Sequence, residues 1–172
     1  MSTKLAPILD LNRDQNPFVP QEFLGQGFGF WYGPSNGLGL EGDGDMEADY
    51  RSLQLTQVNL SEIHLRSYLE QSEKRVPGEE IIRRATETYS LRLDLGIFQI
   101  LWNTQYLLRQ LFRDNFAASI FFDGQTIRSP AGRRCTLGVY LKDGLPQWGL
   151  RRLGRLRTAN DLSAVLPTIR TL

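Results

Sequence analysis

The sequence predicts a mainly β fold with one central α-helix, arranged as a β-sandwich or a small barrel. Several short runs alternate apolar and polar residues between Gly-containing turns, a pattern typical of antiparallel sheets with one buried face. A single stretch, 103–114, instead repeats apolar residues at helical spacing. The chain has 172 residues, of which 41% are apolar, so it is long enough to bury a core.

The first 49 residues predict an extended arm ahead of a single β-rich domain, 50–172. Four prolines and a dense run of glycines argue against long helices in the arm. The arm nevertheless carries six aromatic residues, which disordered tails seldom do. Phe28 and Phe30 alternate with glycines, as in a strand that lies close to another backbone. We therefore expect an ordered arm that buries its rings, including Trp31, against another surface.

Two predicted strands flank a polar loop in the middle of the chain. The run 50–58 reads as the first strand, and Arg83–Leu95 reads as a strand with one apolar face. Between them, the segment 59–69 supports a capped helix and a strand almost equally, and we favour a strand over 62–68. The loop 70–80 is polar and is broken by a Pro-Gly pair.

The second half of the chain predicts two hairpins and a short terminal helix. Ala118–Phe122 and Gln125–Arg128 read as strands joined by a tight Asp-Gly turn. Arg134–Leu141 and Gln147–Leu153 read as a second hairpin around Lys-Asp-Gly. The closing run, Ala159–Leu166, reads as a short helix that a proline ends.

The sequence offers no constellation of residues that would support catalysis or cofactor binding. His64 is the single histidine and Cys135 the single cysteine, so triad, Cys-His and disulfide arrangements lack support. The glycines of Gly25–Gly29 have the wrong spacing for a dinucleotide fingerprint. The acidic run 41–49 departs from a calcium loop at the sixth and twelfth positions of that loop. We therefore predict no enzyme activity, no cofactor, no metal site, no signal peptide and no membrane segment.

Charge is unevenly distributed along the chain, although the net charge is only +1. Glu41–Asp49 contains five acids and no base, whereas the chain from residue 128 onward contains nine Lys or Arg and two Asp, a net charge of +7. The strongest basic feature is the cluster Arg151–Arg157. It is compatible with contacts to acids of another subunit, with a nucleic-acid backbone tracked together with Trp148, or with a solvated face.

The order of these patterns resembles the major tail (tail-tube) proteins of tailed bacteriophages. The likeness covers about residues 24–112. In it, Leu24–Phe28 leads into Leu53–Thr56, which is followed by the polar loop, by Glu87–Leu93 and by the Leu-rich run Leu107–Leu111. The C-terminal half, with its arginine cluster, has no counterpart in that pattern.

The resemblance implies a structural subunit of a self-assembling virion tail. Six subunits would form a ring, and rings would stack into a tube that carries DNA without sequence-specific contact. Its partners would be copies of itself and other tail proteins, and assembly would take place in the host cytoplasm. Another neck or tail adaptor, or a small nucleic-acid-binding module that uses Arg151–Arg157, stays open as an alternative.

We predict that sheet edges pair between subunits, that the arm and the loop clamp neighbouring subunits, and that opposite charges set the register. The predicted subunit-contact residues are Phe28, Phe30, Trp31, Asp43, Asp45, Glu73, Arg75, Glu79, Arg151, Arg152 and Arg155.

Overall fold

A computed structural model describes residues 7–34 and 37–167, and over these residues the fold is mixed α/β. Of the described residues, 26% are helical and 35% lie in strands, so the predicted β-rich character is confirmed only in part. Five α-helices occur in these ranges where one central helix was expected. The sheets are not closed, and neither a sandwich nor a barrel is confirmed. Residues 1–6 and 35–36 of the predicted arm, and residues 168–172, lie outside the described residues.

The elements follow one another through the described ranges with short connections, apart from the loops after β1, β2 and β4. In chain order they are β1 Ile8–Asp10, α1 Pro20–Leu24, β2 Gly29–Phe30, α2 Tyr50–Leu53, β3 Gln57–Asn59, β4 His64–Arg66, β5 Arg75–Pro77, α3 Gly78–Glu87, β6 Leu91–Arg92, α4 Leu95–Asn103, α5 Gln105–Asn115, β7 Ser119–Arg128, β8 Arg134–Lys142, β9 Leu145–Arg152, β10 Leu156–Thr158 and β11 Asp161–Leu166.

Seven of the described strands form one open sheet, whose main path is β4-β11-β7-β8-β9. The central strand is β7, which pairs antiparallel with β8 on one side. On its other side it pairs parallel with β11 at its start and antiparallel with β2 at its end. The end of β11 pairs with β6. Two smaller pairs, β1 with β3 and β5 with β10, complete the strand pairing of the described ranges.

The main hydrophobic core lies between one face of this sheet and the helices α4 and α5. Apolar side chains from both layers are fully buried there, including Phe98, Leu101 and Leu108 on the helices and Phe122 and Leu137 on the strands. The predicted helix 103–114 is confirmed as α5, whereas α4 was not predicted. The start of α4 is capped by the Asp94 carboxylate, which accepts from the Gly96 N–H at 2.8 Å.

The predicted strand Arg83–Leu95 is wrong, because helix α3 occupies its first part and β6 only two residues of the remainder. Ile81 and Ala85 are buried one helical turn apart, so α3 has its own apolar stripe. On the exposed face, Arg83 pairs with acids one turn before and one turn after it. Such pairs favour a helix over the alternating strand pattern.

The first predicted strand, 50–58, also differs from the structure. Tyr50–Leu53 is the short helix α2, capped by Asp49, and strand structure begins only at Gln57. In the ambiguous segment 59–69, Asn59 caps a 3-10 turn, and β4 follows directly. The favoured strand is therefore confirmed only over His64–Arg66.

The predicted Asp-Gly turn after Phe122 is wrong, because β7 continues through it as one bent strand. A Cβ on Gly124 would lie 2.5 Å from the Leu93 carbonyl carbon, so glycine allows this backbone to approach closely. The predicted terminal helix, Ala159–Leu166, is the strand β11, whose pairing with β7 needs the rest of the fold. The β8–β9 hairpin is confirmed, and β9 begins at Leu145.

The arm buries its aromatic rings against its own chain. The ring centroids of Phe18 and Phe23 lie 6.2 Å and 5.4 Å from that of Phe98 on α4. Earlier in the arm, Arg13 donates to the two carboxylate oxygens of Asp94 at 2.9 Å and 3.0 Å. Within one chain Phe18 and Trp31 are buried, whereas Phe28 and Phe30 are half-buried, and contact of the arm with another subunit stays a prediction.

A buried ion pair joins the strands on the opposite face of the sheet. The side chains of Arg157 and Asp123 are 0% and 1% exposed, and both guanidinium–carboxylate hydrogen bonds measure 2.8 Å. The carboxylate also accepts from the hydroxyl groups of Thr136 and Ser163, each at 2.7 Å. The Arg157 guanidinium lies 3.9 Å from the centre of the Phe121 ring. The carboxylate is thus fully hydrogen-bonded despite its burial.

This environment fixes the protonation state of Asp123. Burial alone would raise the pKa of Asp123, but the Arg157 charge and the hydrogen bonds from Arg157, Ser163 and Thr136 lower it to about 2. The folded-state pKa therefore lies below the ordinary value of 3.8. It follows that the pair stabilises the fold fully above about pH 4 and loses that contribution as the pH falls toward 2.

We expect the substitution D123N to lower the free energy of unfolding by about 3–5 kcal/mol, because it leaves Arg157 buried without a counter-charge. Urea unfolding at pH 7 measures the loss. The control is E87Q, which removes an exposed ion pair with Arg83 and should cost no more than about 1 kcal/mol. Equal losses for the two variants would contradict the role assigned to the buried pair.

The dependence of the urea midpoint on acid pH should distinguish D123N from the wild-type protein. We expect the urea midpoint of the wild-type protein to fall between about pH 4 and pH 2, and D123N to lack part of that fall. Some acid sensitivity remains in both proteins, because hydrogen bonds from Arg84 and Arg83 lower the pKa values of Glu73 and Glu80 to about 2. Parallel curves of urea midpoint against pH would show that Asp123 is not responsible.

Candidate functional site

An open cleft of about 530 Å³ lies where the turn after β9 meets the loop that leads into β8. Polar side chains dominate its wall, and arginines are the most frequent among them. The residues that matter for its chemistry are Trp31, Glu79, Arg133, Arg134, Arg152 and Arg155.

Backbone hydrogen bonds hold the turn that presents two of these arginines. The N–H of Leu153 donates to the Arg134 carbonyl at 3.1 Å, which extends the β8–β9 pairing beyond the strand ends. The N–H of Arg155 donates to the Arg152 carbonyl at 3.0 Å and closes the turn. At the start of α3, the N–H of Glu79 donates to the Leu153 carbonyl at 3.0 Å. The backbone is therefore supported from three directions.

Arg134 is the arginine of the cleft whose charge is already compensated. Its guanidinium pairs with Glu47 at 2.5 Å and also with Glu79. The same group lies 5.9 Å from the centre of the Trp31 ring. Arg134 therefore forms part of the wall and contributes little free positive charge.

The other three arginines keep their charge available to solvent. They are exposed, and none of them forms an ion pair within residues 7–34 and 37–167. Because they line one concave surface, their positive potentials add. These three residues are Arg133, Arg152 and Arg155.

Trp31 supplies an unusual donor in the wall of the cleft. The residue is 2% exposed, and its indole N–H has no hydrogen-bond partner among the described residues. Gly39 packs on the ring with a φ of +74°, and a Cβ there would overlap the ring atoms. A buried donor without a partner costs about 1–3 kcal/mol.

The arginine cluster 151–157 does not form one continuous basic surface. Arg157 belongs to the buried ion pair. The guanidinium of Arg151 lies 4.9 Å from the centre of the Phe121 ring and 3.2 Å from the Asp161 carboxylate. Only the remaining two arginines of the cluster project freely. Trp148 is half-buried, with its ring 5.5 Å from that of Phe23, so it is not a free stacking surface for a base.

The strand β9 provides a second candidate surface, because it forms an edge of the main sheet. In the part of the chain that the structure describes, its one strand partner is β8. Apolar side chains at the tip of the hairpin are exposed: Tyr140 by 42%, Leu141 by 41% and Leu145 by 55%. The opposite edge of the sheet is the three-residue strand β4.

Several other residues predicted to contact neighbouring subunits are engaged within the chain. Phe28 and Phe30 are half-buried against the core. Glu73 accepts two hydrogen bonds from Arg84, at 2.5 Å and 2.7 Å. Arg75 is exposed on β5. Contact of these residues with a second copy stays a prediction.

Like the basic cluster, the acidic segment 41–49 contains both paired side chains and exposed, unpaired ones. Glu47 and Asp49 pair with Arg134 and Arg51 of the same chain. The three acids that are exposed and form no ion pair within the described ranges are Glu41, Asp43 and Asp45.

The cleft includes residues that the sequence analysis did not connect. Arg133 and Arg134 form a doublet at the start of the predicted strand Arg134–Leu141, which is a usable signal for a basic strand end. No local pattern links that doublet to Trp31, about a hundred positions earlier in the chain. Only the fold brings them together.

Within the described residues, no group of three or more His, Cys, Asp or Glu side chains could hold a metal ion. His64 lies on β4 and Cys135 on β8, with β11 and β7 between them in the sheet. None of the helices in this part of the chain is long and apolar enough to cross a membrane. Comparisons with family models, with curated proteins and with solved structures find no match.

The neighbouring arginines 151 and 152 should differ in their effect on stability. We expect R151A to lower the free energy of unfolding by about 1–2 kcal/mol, because it removes ring stacking and a partly buried ion pair. R152A should change it by less than about 0.5 kcal/mol, because its side chain is exposed. Chemical unfolding of both variants tests the difference, and equal losses would contradict it.

Proposed function

We propose that the protein is a non-enzymatic structural subunit that assembles with copies of itself through the edges of its open sheet. The observation that supports this most is the edge strand β9, eight residues long, with no strand on its outer side in the described ranges. Such an edge is a template for pairing with another chain. Natural proteins normally shorten, charge or cover an edge of this kind.

β9 carries Pro146 near its start and Arg151 and Arg152 at its end, which limit pairing there, so the stretch 147–150 is the part open to a neighbouring strand. The exposed apolar residues Tyr140, Leu141 and Leu145 lie at the end of the hairpin that β9 forms with β8. In a monomer they would make this edge prone to aggregation. A specific neighbour that pairs with β9 would cover both the backbone groups and these side chains. The short β4 is the complementary edge for a head-to-tail ring.

Among self-assembling particles, the tail tube of a phage or a phage-like particle is the one that the sequence pattern favours. The support is the order of a Gly-rich arm, a polar loop and a Leu-rich helix, which is α5 here. The run Glu87–Leu93, which the pattern reads as a strand, contains only β6 as strand structure. In this proposal six subunits form a ring, and their open sheets close a barrel between them around the lumen.

We expect the double substitution L145K/Q147K to prevent assembly, because two lysines on the exposed face of β9 oppose edge pairing. At increasing concentration the wild-type protein should form rings or tubes, while the variant stays near the monomer mass of 19.7 kDa. Light scattering after gel filtration and negative-stain electron microscopy measure this.

The control Q54K/Q57K adds two lysines at exposed positions outside β9, the arm and the loop 70–80, and should assemble normally. Assembly of L145K/Q147K would exclude β9 as the contact. A wild-type monomer at every concentration would overturn the proposal and favour an adaptor that needs a different partner.

A further inference from the structure

We propose that the arginine cleft is a binding site for a small anion that carries two or three phosphoryl groups. The proposal concerns the single chain and does not depend on self-assembly. Its first support is charge, because Arg133, Arg152 and Arg155 line one concave surface without ion-pair partners in the described ranges. Guanidinium groups bind phosphate oxygens in a bidentate manner, and such charge-assisted hydrogen bonds are among the strongest in proteins.

The second support is the buried donor in the wall. The indole N–H of Trp31 has no partner among the described residues, although the residue is almost completely buried. We infer that the bound anion supplies the acceptor that this N–H lacks. The volume of about 530 Å³ lies within the range of small-molecule sites.

The shape of the cleft favours a compact polyanion over an extended acidic segment. Carboxylates at every second residue of an extended chain lie roughly 7 Å apart, so only one or two would fit into a cleft of this size. A chain of two or three phosphoryl groups concentrates several charges within the same space. Arg157 is fully buried, and the charge of Arg151 is paired with Asp161, so few free arginines remain for a long nucleic-acid backbone to follow.

The lining also contains one feature that opposes an anion. Glu79 carries a negative charge at the cleft, but it pairs with Arg134. Arg134 also pairs with Glu47, so these three side chains together carry a net charge of −1, against +3 from the three free arginines. The cleft therefore keeps a positive potential.

The test is isothermal titration calorimetry on the full chain, at a concentration where light scattering shows a monomer. The probes are pyrophosphate, tripolyphosphate, ATP, a twelve-residue oligothymidylate and citrate. We expect tripolyphosphate and ATP to bind with similar affinity and citrate to bind at least tenfold more weakly. Equal affinity of tripolyphosphate and ATP identifies the phosphate chain as the recognised group, whereas tighter binding of ATP identifies a nucleotide as its source.

The test variant is R152A/R155A, and R133A is a second, single substitution. We expect the double variant to weaken binding of tripolyphosphate roughly 100-fold, because each lost charge-assisted hydrogen bond contributes about a factor of ten. The control R109A/R113A removes two exposed arginines from α5, outside the cleft, and should change the affinity less than threefold. Circular dichroism and urea unfolding establish that the variants remain folded.

Three results would overturn the proposal. The first is no binding of any phosphate probe by the wild-type protein. The second is an equal loss of affinity in R109A/R113A, which would mean diffuse attraction by net charge. The third is tighter binding of citrate, or of a peptide with the sequence of residues 40–46, which would assign the cleft to carboxylates of a second copy. None of these results depends on whether the protein forms rings.

Discussion

The buried ion pair between Arg157 and Asp123 is the constraint on which the arrangement of the strands depends. Moving two charges out of water costs several kcal/mol per ion, and that cost is offset only by good pair geometry together with further hydrogen bonds. The Asp123 carboxylate on β7 accepts from side chains of β8, β10 and β11. Its main-chain carbonyl accepts from Arg92 on β6 at 2.6 Å. One residue thus joins five strands, and a shift in the register of any of them would leave a buried charge without its partners.

The same ion pair determines which arginines reach the surface. With Arg157 anchored inward and Arg151 held on the Phe121 ring, the turn between β9 and β10 has little freedom. Backbone hydrogen bonds to β8 and to the start of α3 hold the same turn. The exposed arginines therefore project from a backbone that these hydrogen bonds hold in place. A backbone held in this way loses less entropy when a ligand binds.

The elements that could be predicted from the sequence are those whose signals are local. The β8–β9 hairpin follows from its Lys-Asp-Gly turn, and α5 from its leucine spacing. The start of α3 carries a competing signal, Pro77 followed by Gly78 and two acids, which is typical of a helix beginning and outweighs the alternation after it. Asp123 resembles a turn residue until its partner, 34 positions away, is known. Arg152 and Arg155 could be selected from the sequence because they stand in a local cluster of arginines. The buried Trp31 beside them could not, because only the fold brings it to the cleft.

The open edge and the arginine cleft share one element, because β9 ends at Arg152. In a head-to-tail contact the neighbour's β4, which carries the exposed Arg66, approaches the strand that ends at the exposed Arg152, and these like charges repel each other. An anion bound in the cleft would reduce the repulsion, so binding and association would favour each other. If instead the neighbour's exposed acids occupy the cleft, the anion must be released before the copies associate, and the coupling changes sign. Whether the anion promotes or inhibits association therefore shows whether the cleft binds a ligand or the acids of the next subunit.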